Sequence, residues 1–343
     1  MSDADSLIGA TVGGLYKVRR LIGSGGMGEV YAADAKDGSK VALKVLHERA
    51  AQDQDIVARF QRESAIAAQI KSPFVANVVG AGKDRTGRLW IAFEHLTGEG
   101  LDERLRREQY LSFADVAPIV DDALQGLIAA HEAGIVHRDI KPANLFIEKR
   151  DTLKAASKGR PAEPEERTRI LDFGISKIRR TGGRVKSEPS LTAFDATLGS
   201  FAYMAPEQVR GSARVDERAD LYALGAVAFR ALTGRLPFEG NNALTLIALK
   251  LDREAPSLTA TTGDEWPGVI ERFLEKMMAR DREVRFKGGA EAIERWRNVR
   301  RIMGEAVAPP PPRSIRLREE WPSDDHTDVT AGTFPGPDGT GRF

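Results

Sequence analysis

The sequence has no cysteine. That excludes a disulfide framework, a thiolate metal site and a cysteine nucleophile. It also has no apolar run long enough to span a bilayer. The opening Met1-Ser2-Asp3-Ala4-Asp5 lacks a basic segment followed by an apolar one, so no signal peptide is visible. Charge of neither sign prevails: 51 Lys and Arg face 50 Asp and Glu, a formal net charge of +1. Such a balance offers no field to attract nucleic acid or an acidic membrane surface. What is present is ordinary for a globular protein, with 41% hydrophobic and 29% charged residues. The 343 residues suffice for a large core divided into two or three lobes. The expectation is a soluble cytoplasmic protein with no membrane span and no nucleic-acid partner.

The densest chemistry lies in one short stretch, His137-Arg138-Asp139-Ile140-Lys141-Pro142-Ala143-Asn144. It follows a helical pattern and runs into Leu145-Phe146-Ile147, an apolar run that reads as a strand. Loops on a rigid scaffold are where chemistry usually sits. An acid, a base and an amide in one loop suit the joint handling of a hydroxyl proton, a phosphate and a magnesium ion. The bland alternative is a solvated turn.

Upstream, residues 16–46 read as three strands. Tyr16 to Ile22 leads into Gly23-Ser24-Gly25-Gly26-Met27-Gly28, and Glu29-Val30-Tyr31-Ala32-Ala33 runs back. Glycines let backbone approach a phosphate with free N–H groups aimed at it. A strand follows this run, where a dinucleotide-binding turn would be followed by a helix. Alone, the glycine run is equally well a plain hairpin turn. Lys44 sits inside the apolar strand Lys40 to Leu46, where a charge is costly unless it is paired or used. Residues 53–70 show helical spacing at Ile56, Phe60, Ala67 and Ile70, and Glu63 shares that inward face. Glu63 is therefore a plausible partner for Lys44. Two more strands are read over 75–93, joined through Asp84-Arg85-Thr86-Gly87, and the connector Glu94 to Gly100 reads as a hinge.

Helical pattern then dominates. Ala114 to Ala133 carries an apolar stripe and stops at Gly134. Residues 148–169, rich in Lys, Arg, Glu and Pro, read as an exposed insertion in a hairpin. Order resumes at Ile170-Leu171-Asp172-Phe173-Gly174. Residues 175–200 are polar and carry hydroxyls, and Ala205-Pro206-Glu207 follows. The helix opened by Asp220 is apolar nearly all round, which predicts a central position in the larger lobe. Further helices are read over 241–251, 266–279 and 289–303. Residues 1–12 read as an N-terminal tail, and 304–343 as a disordered Pro-rich one.

These elements, in this order, resemble a eukaryotic-like bacterial protein serine/threonine kinase. Gly23-Ser24-Gly25-Gly26-Met27-Gly28-Glu29-Val30 resembles the glycine-rich loop, Val41-Ala42-Leu43-Lys44 the strand lysine motif, and Glu63 the glutamate of helix αC. His137-Arg138-Asp139 through Asn144 resembles the catalytic loop, Asp172-Phe173-Gly174 the metal-binding triplet, and Ala205-Pro206-Glu207 the end of the activation segment. The resemblance spans about residues 13–303. It implies an α+β, bilobal fold. The N-lobe, 13–96, would hold a five-stranded antiparallel sheet with helix αC. The C-lobe, 97–303, would be larger and mainly helical.

Roles follow from the same resemblance. Ile22 to Val30 would cover ATP, Ala42 and Phe146 would sandwich adenine, the backbone of Glu94 to Leu96 would bond its edge, and Phe93 would be the gatekeeper. Lys44, oriented by Glu63, would hold the α and β phosphates. Asn144 and Asp172 would bind Mg2+, or Mn2+ in its place. Asp139 would accept or orient the hydroxyl proton, with Lys141 beside the γ-phosphate. Lys141-Pro142 fits the serine/threonine class, and Ser200 stands where the family usually has Thr. Arg138 beside Asp139 implies control by activation-segment phosphorylation, at Thr192 or Thr197, with Thr192 ahead. Autophosphorylation would use a transient homodimer, and the other partners would be protein substrates with Ser or Thr acceptors. His137, Arg138, Phe173, Gly174, Glu207, Asp220 and Arg285 would be structural, Glu207 pairing with Arg285 and Asp220 bracing the catalytic loop.

Two other readings share the fold. A pseudokinase would lack an equivalent of Lys44, Asp139 or Asp172, and all three are present. A small-molecule kinase of the aminoglycoside or choline type usually lacks the Ala-Pro-Glu segment and the hydroxyl-rich loop found here.

Overall fold

The computed structural model describes residues 7–25, 28–47, 57–58, 60, 64–65, 67–150, 166–172, 198–211, 215–240 and 242–305. The smaller lobe contains β1 (Thr11–Val12), β2 (Tyr16–Gly25), β3 (Gly28–Ala35), β4 (Lys40–Leu46), β5 (Val78–Lys83) and β6 (Leu89–Glu94). They form one sheet of six strands, ordered β1-β2-β3-β4-β6-β5, with every pairing antiparallel.

Period-two alternation decides which way each side chain of this sheet points. On β4, Val41, Leu43 and Val45 join Tyr16, Val18, Tyr31, Ala33 and Trp90 in one apolar cluster. Leu46 packs with Phe60, Leu89 and Ile91 in a second cluster. Lys44 falls in the Leu46 register and so projects away from the Trp90 cluster. At Gly28 the backbones of β3 and β4 run so close that a Cβ would lie 2.2 Å from the Val45 carbonyl oxygen, which only glycine tolerates.

The sheet has one strand more than the five expected. Thr11 pairs with Lys17 and Val12 with Tyr16, and Leu7 is buried beneath them. A two-residue strand carries no alternation to read, so this part of the N-terminal tail looked structureless in the sequence. β2 also continues through the glycine run to Gly25, three residues beyond the expected end.

The hinge connector ends in β7 (Gly98–Gly100), which pairs with β8 (Leu145–Lys149), itself paired with β9 (Glu166–Ile170). The charged stretch read as an insertion therefore contributes residues 148–149 and 166–169 to a hairpin. Its middle, 151–165, lies outside the described residues. Cross-strand pairing overrides the polar composition of Glu166-Arg167-Thr168-Arg169, because every one of those residues has a strand partner.

The larger lobe is helical: α1 (Leu101–Glu108), α2 (Phe113–Glu132), α3 (Leu198–Tyr203), α4 (Pro206–Val209), α5 (Arg218–Thr233), α6 (Ala243–Asp252), α7 (Leu258–Thr262), α8 (Gly268–Met277) and α9 (Gly289–Glu305). Ser112 caps α2 by accepting the Asp115 N–H. α5 is buried from Ala219 to Thr233 and stops at Gly234, whose φ of 71° closes the helix. Trp296 on α9 fixes the far side, donating to the Ala117 carbonyl at 3.0 Å and stacking against Phe273 at 4.8 Å. The expected Pro-rich tail lies outside the described residues, except that α9 runs on to Glu305. No helix among the described residues is long and apolar enough to cross a membrane.

Candidate active site

The site lies where β4 faces the β7–β8–β9 hairpin. Lys44 is 9% exposed, and its ammonium donates to Asp172 Oδ2 at 2.7 Å, across 128 positions of sequence. A lysine this buried requires anionic oxygen beside it. Asp172 supplies it from the other lobe. Glu63, Gly26, Met27, Phe173, Gly174, Thr192 and Thr197 lie outside the described residues, as does the side chain of Ser200. The arms of the glycine hairpin are in place, with Gly23 opposite Val30, Ser24 opposite Glu29 and Gly25 opposite Gly28. Ile22 is 46% exposed at its edge. Ala42 pairs with Phe93 across β4 and β6, and Phe146 pairs with Gly100 on the opposite lobe. Glu94 and Leu96 stand in the connector between the lobes, and the Glu94 N–H is bonded to the Asn77 carbonyl at 3.0 Å.

The candidate catalytic loop, residues 137–144, is a network of directed bonds. Asn144 follows Pro142 in a short 3₁₀ turn, and its Nδ2 donates to Asp139 O at 2.7 Å and to Asp139 Oδ2 at 3.2 Å. That orientation turns the amide oxygen of Asn144 away from Asp139. Lys141 Nζ lies 3.6 Å from Asp139 Oδ2. His137 Nε2 sits 2.8 Å from the Leu171 carbonyl, which can only accept, so Nε2 carries the proton. Nδ1 is then free to accept the Asp139 N–H at 3.2 Å. The Leu171 N–H in turn donates to the Asn144 carbonyl at 2.9 Å, tying the loop to the segment that leads from β9 to Asp172.

Arg138 holds a left-handed backbone, φ 64°, a conformation that strains a residue with a side chain. Two groups keep it there. Asp220, fully buried near the start of α5, accepts the Arg138 N–H on Oδ1 at 2.7 Å. Gln208 Nε2 donates to the Arg138 carbonyl at 2.9 Å. Asp220 Oδ2 also accepts the His137 N–H at 2.8 Å and His131 Nε2–H at 2.9 Å. Further out, Arg285 grips Glu207 in a fork of 2.7 and 2.9 Å.

Three residues of this framework escaped the sequence reading. His131 and Gln208 buttress the loop from outside its motif. Arg169 binds Glu148 at 2.9 Å, the Val75 carbonyl at 2.8 Å, and the carboxylate of Glu94. It thereby ties the hinge to the hairpin. Its signal, a charge inside a strand beside Ile170, was hidden because 148–169 read as a solvated insertion.

The donor set fits a magnesium nucleotide. Asp172 and Asn144 bring hard oxygens, and Lys44 brings a cation for phosphate. No cluster of three or more His, Asp or Glu side chains able to hold a metal exists among the described residues. Magnesium does not need one, since it is usually bound by one or two carboxylates together with waters and substrate phosphates.

A curled antiparallel sheet over a helical lobe, with lysine and carboxylate meeting in the crevice, is the architecture of a bilobal phosphotransferase. The protein kinase domain model matches residues 16–295. The chain belongs to the protein kinase family, and within it to the eukaryotic-like serine/threonine kinases of bacteria. It is 34% identical over 348 residues to the serine/threonine-protein kinase pkn3 of Myxococcus xanthus, an alignment covering 97% of this chain and 60% of that protein. It is 31% identical over 315 residues to the serine/threonine-protein kinase PknA of Mycobacterium tuberculosis, covering 90% of this chain and 67% of that one. The crystal structure of the Mycobacterium tuberculosis PknI kinase domain superposes with a TM-score of 0.62 at 28% identity, covering 85% of this chain and 98% of that one. The chain thus spans about three-fifths of the length of pkn3.

Proposed function

We propose that this protein transfers the γ-phosphate of ATP to serine and threonine hydroxyls of proteins, its own activation segment among them. The observation that carries the reading is the Lys44–Asp172 pair bridging the lobes, tied through the Leu171 N–H to Asn144 and by Asn144 to Asp139. Phosphoryl transfer asks a protein mainly for positioning and for charge placed against the phosphates. Lys44 supplies that charge on the nucleotide side. Asp172 and Asn144 are the residues that would hold Mg2+, or Mn2+, whose chemistry is to neutralise charge on the phosphate oxygens. Asp139 orients the acceptor hydroxyl and takes its proton, while the Asn144 N–H bonds keep its carboxylate aimed. Lys141, 3.6 Å from Asp139, places a second cation beside the transferred group. Ile22 to Val30, Ala42, Phe93, Glu94, Leu96 and Phe146 form the nucleotide bed, and Glu63 supports Lys44. Thr192 and Thr197 are the proposed phosphosites, reached through a transient homodimer, and the setting is cytoplasmic.

Incubation with labelled ATP and Mg2+ tests this. Protein-bound label in the wild type, lost in Asp139→Asn and in Lys44→Met with thermal stability retained, is the expected outcome. Label confined to a small metabolite would point to a small-molecule kinase, and no label at all to a binding scaffold.

A further inference from the structure

Lys250, in the helical lobe, is almost wholly buried, at 1% exposure. It sits on α6 within a stretch, Ala243 to Leu251, that is apolar but for Thr245 and Lys250 itself, one turn after Leu246, which is also buried. Its Nζ donates to the Ala202 carbonyl at 2.8 Å and the Met204 carbonyl at 3.0 Å. The rings of Tyr222 and Phe238 flank it at 5.1 and 5.5 Å. Arg285 lies 4.9 Å from the same Tyr222 ring while holding Glu207. Two cations therefore grip the chain on either side of Ala205-Pro206.

One of the carbonyls that Lys250 holds, that of Ala202, lies in the last turn of α3, and the other, that of Met204, just beyond its end. A helical carbonyl is normally bonded by the N–H four residues on. For Ala202 that residue is Pro206, which has none. The next nearest donor, the Ala205 N–H, is already given to Gln208 Oε1 at 3.0 Å. An ammonium reaching in from α6 closes α3 instead. The cost is high: burial, and then the charge of Arg285, push this amine down to about 7. An apolar side chain of similar volume would fill the same space at no such penalty. What it would not do is fix the two carbonyls.

We infer that Lys250 is a positioning residue for the acceptor protein: its ammonium sets the path of residues 202–204, which lead through Gln208 to the Arg138 carbonyl beside Asp139, the side from which the acceptor hydroxyl must approach. This rests on the protein-kinase reading above and deepens it. Its bonds go to Ala202 and Met204 and not to Lys44, Asp172 or the 137–144 loop, so its effect should fall on one substrate only.

Steady-state kinetics of the full chain with dephosphorylated casein and ATP test the inference. For Lys250→Met the KM for casein is expected to rise at least tenfold. The KM for ATP and the casein-independent hydrolysis of ATP should stay within twofold of wild type. Equal changes in both KM values, or no change in either, would overturn it and leave Lys250 as packing alone. Should the Met variant fail to fold, Lys250→Gln keeps N–H donors without the charge. There a casein KM raised threefold or more at constant ATP KM supports the inference, and parallel changes overturn it. A wild-type protein that hydrolyses ATP but labels no protein acceptor overturns the kinase reading and this inference together. An active wild type with an unchanged Met variant overturns this inference alone.

Discussion

Asp220→Asn isolates the bracing of the catalytic loop, because the change removes charge and keeps shape. The carboxylate is wholly buried and accepts three bonds: Arg138 N–H on one oxygen, His137 N–H and His131 Nε2–H on the other. An asparagine can keep its oxygen on Arg138. Its NH2 then confronts two donors. His131 escapes by moving its proton to the other ring nitrogen and accepting instead. The His137 N–H has no such escape, and an orphaned buried donor costs about 1–3 kcal/mol. Weakening the remaining charge-assisted bonds adds about 1 kcal/mol. A loss of about 3 kcal/mol leaves most domains folded, given a usual stability of about 5–15 kcal/mol. The same loss loosens the left-handed Arg138 and hence its neighbour Asp139. At about 1.4 kcal/mol per tenfold in rate, kcat should fall about ten- to a hundredfold. The dissociation constant for ATP should stay within about threefold, since nothing on β4 or in the hinge contacts Asp220. Thermal denaturation, single-turnover phosphorylation and nucleotide titration read these separately. An unchanged melting temperature with unchanged kcat would refute the reasoning, and so would a loss confined to ATP affinity.

Two further outcomes concern the hairpin between the lobes. Arg169→Gln takes one buried cation from the carboxylates of Glu94 and Glu148, and breaking a buried pair costs about 3–5 kcal/mol. The KM for ATP should rise more than kcat falls, because Glu94 belongs to the hinge; an unchanged KM in steady-state assays contradicts that. Asp122 on α2 accepts the Thr168 N–H of β9 at 2.8 Å, and burial pushes its carboxyl from 3.8 up to about 6. The folded protein therefore binds this proton more readily than the unfolded chain, so the group lowers stability as pH rises from about 4 to 6. Asp122→Asn should melt near the wild-type temperature at pH 4 and above it beyond pH 6. Melting curves that stay parallel across that range would contradict the assignment.

Much of this protein was legible without coordinates because its chemistry is local. Asp139, Lys141 and Asn144 fall within one loop, and the glycine run, the strand lysine and the Asp172 triplet each carry their signal within a few residues. The boundaries of α2 and α5 followed from apolar pattern and glycine stop to within two residues. The rule that singles out Lys44, a charge stranded among apolar neighbours, applies equally to Lys250 in Ala-Leu-Thr-Leu-Ile-Ala-Leu-Lys-Leu.

What the sequence by itself determined, then, was the family, the two-lobed fold and the candidate groups to be sought in it. Periodicity says which face a side chain is on, but not what meets it. That Lys44 closes on Asp172, that Asp220 rather than a nearer acid holds Arg138 in its left-handed turn, and that Arg169 joins hinge to hairpin are matters of partners 128, 82 and 75 positions apart. Such contacts carry no local signal. They exist only once the sheet and the helical lobe have packed, and the packing chooses them.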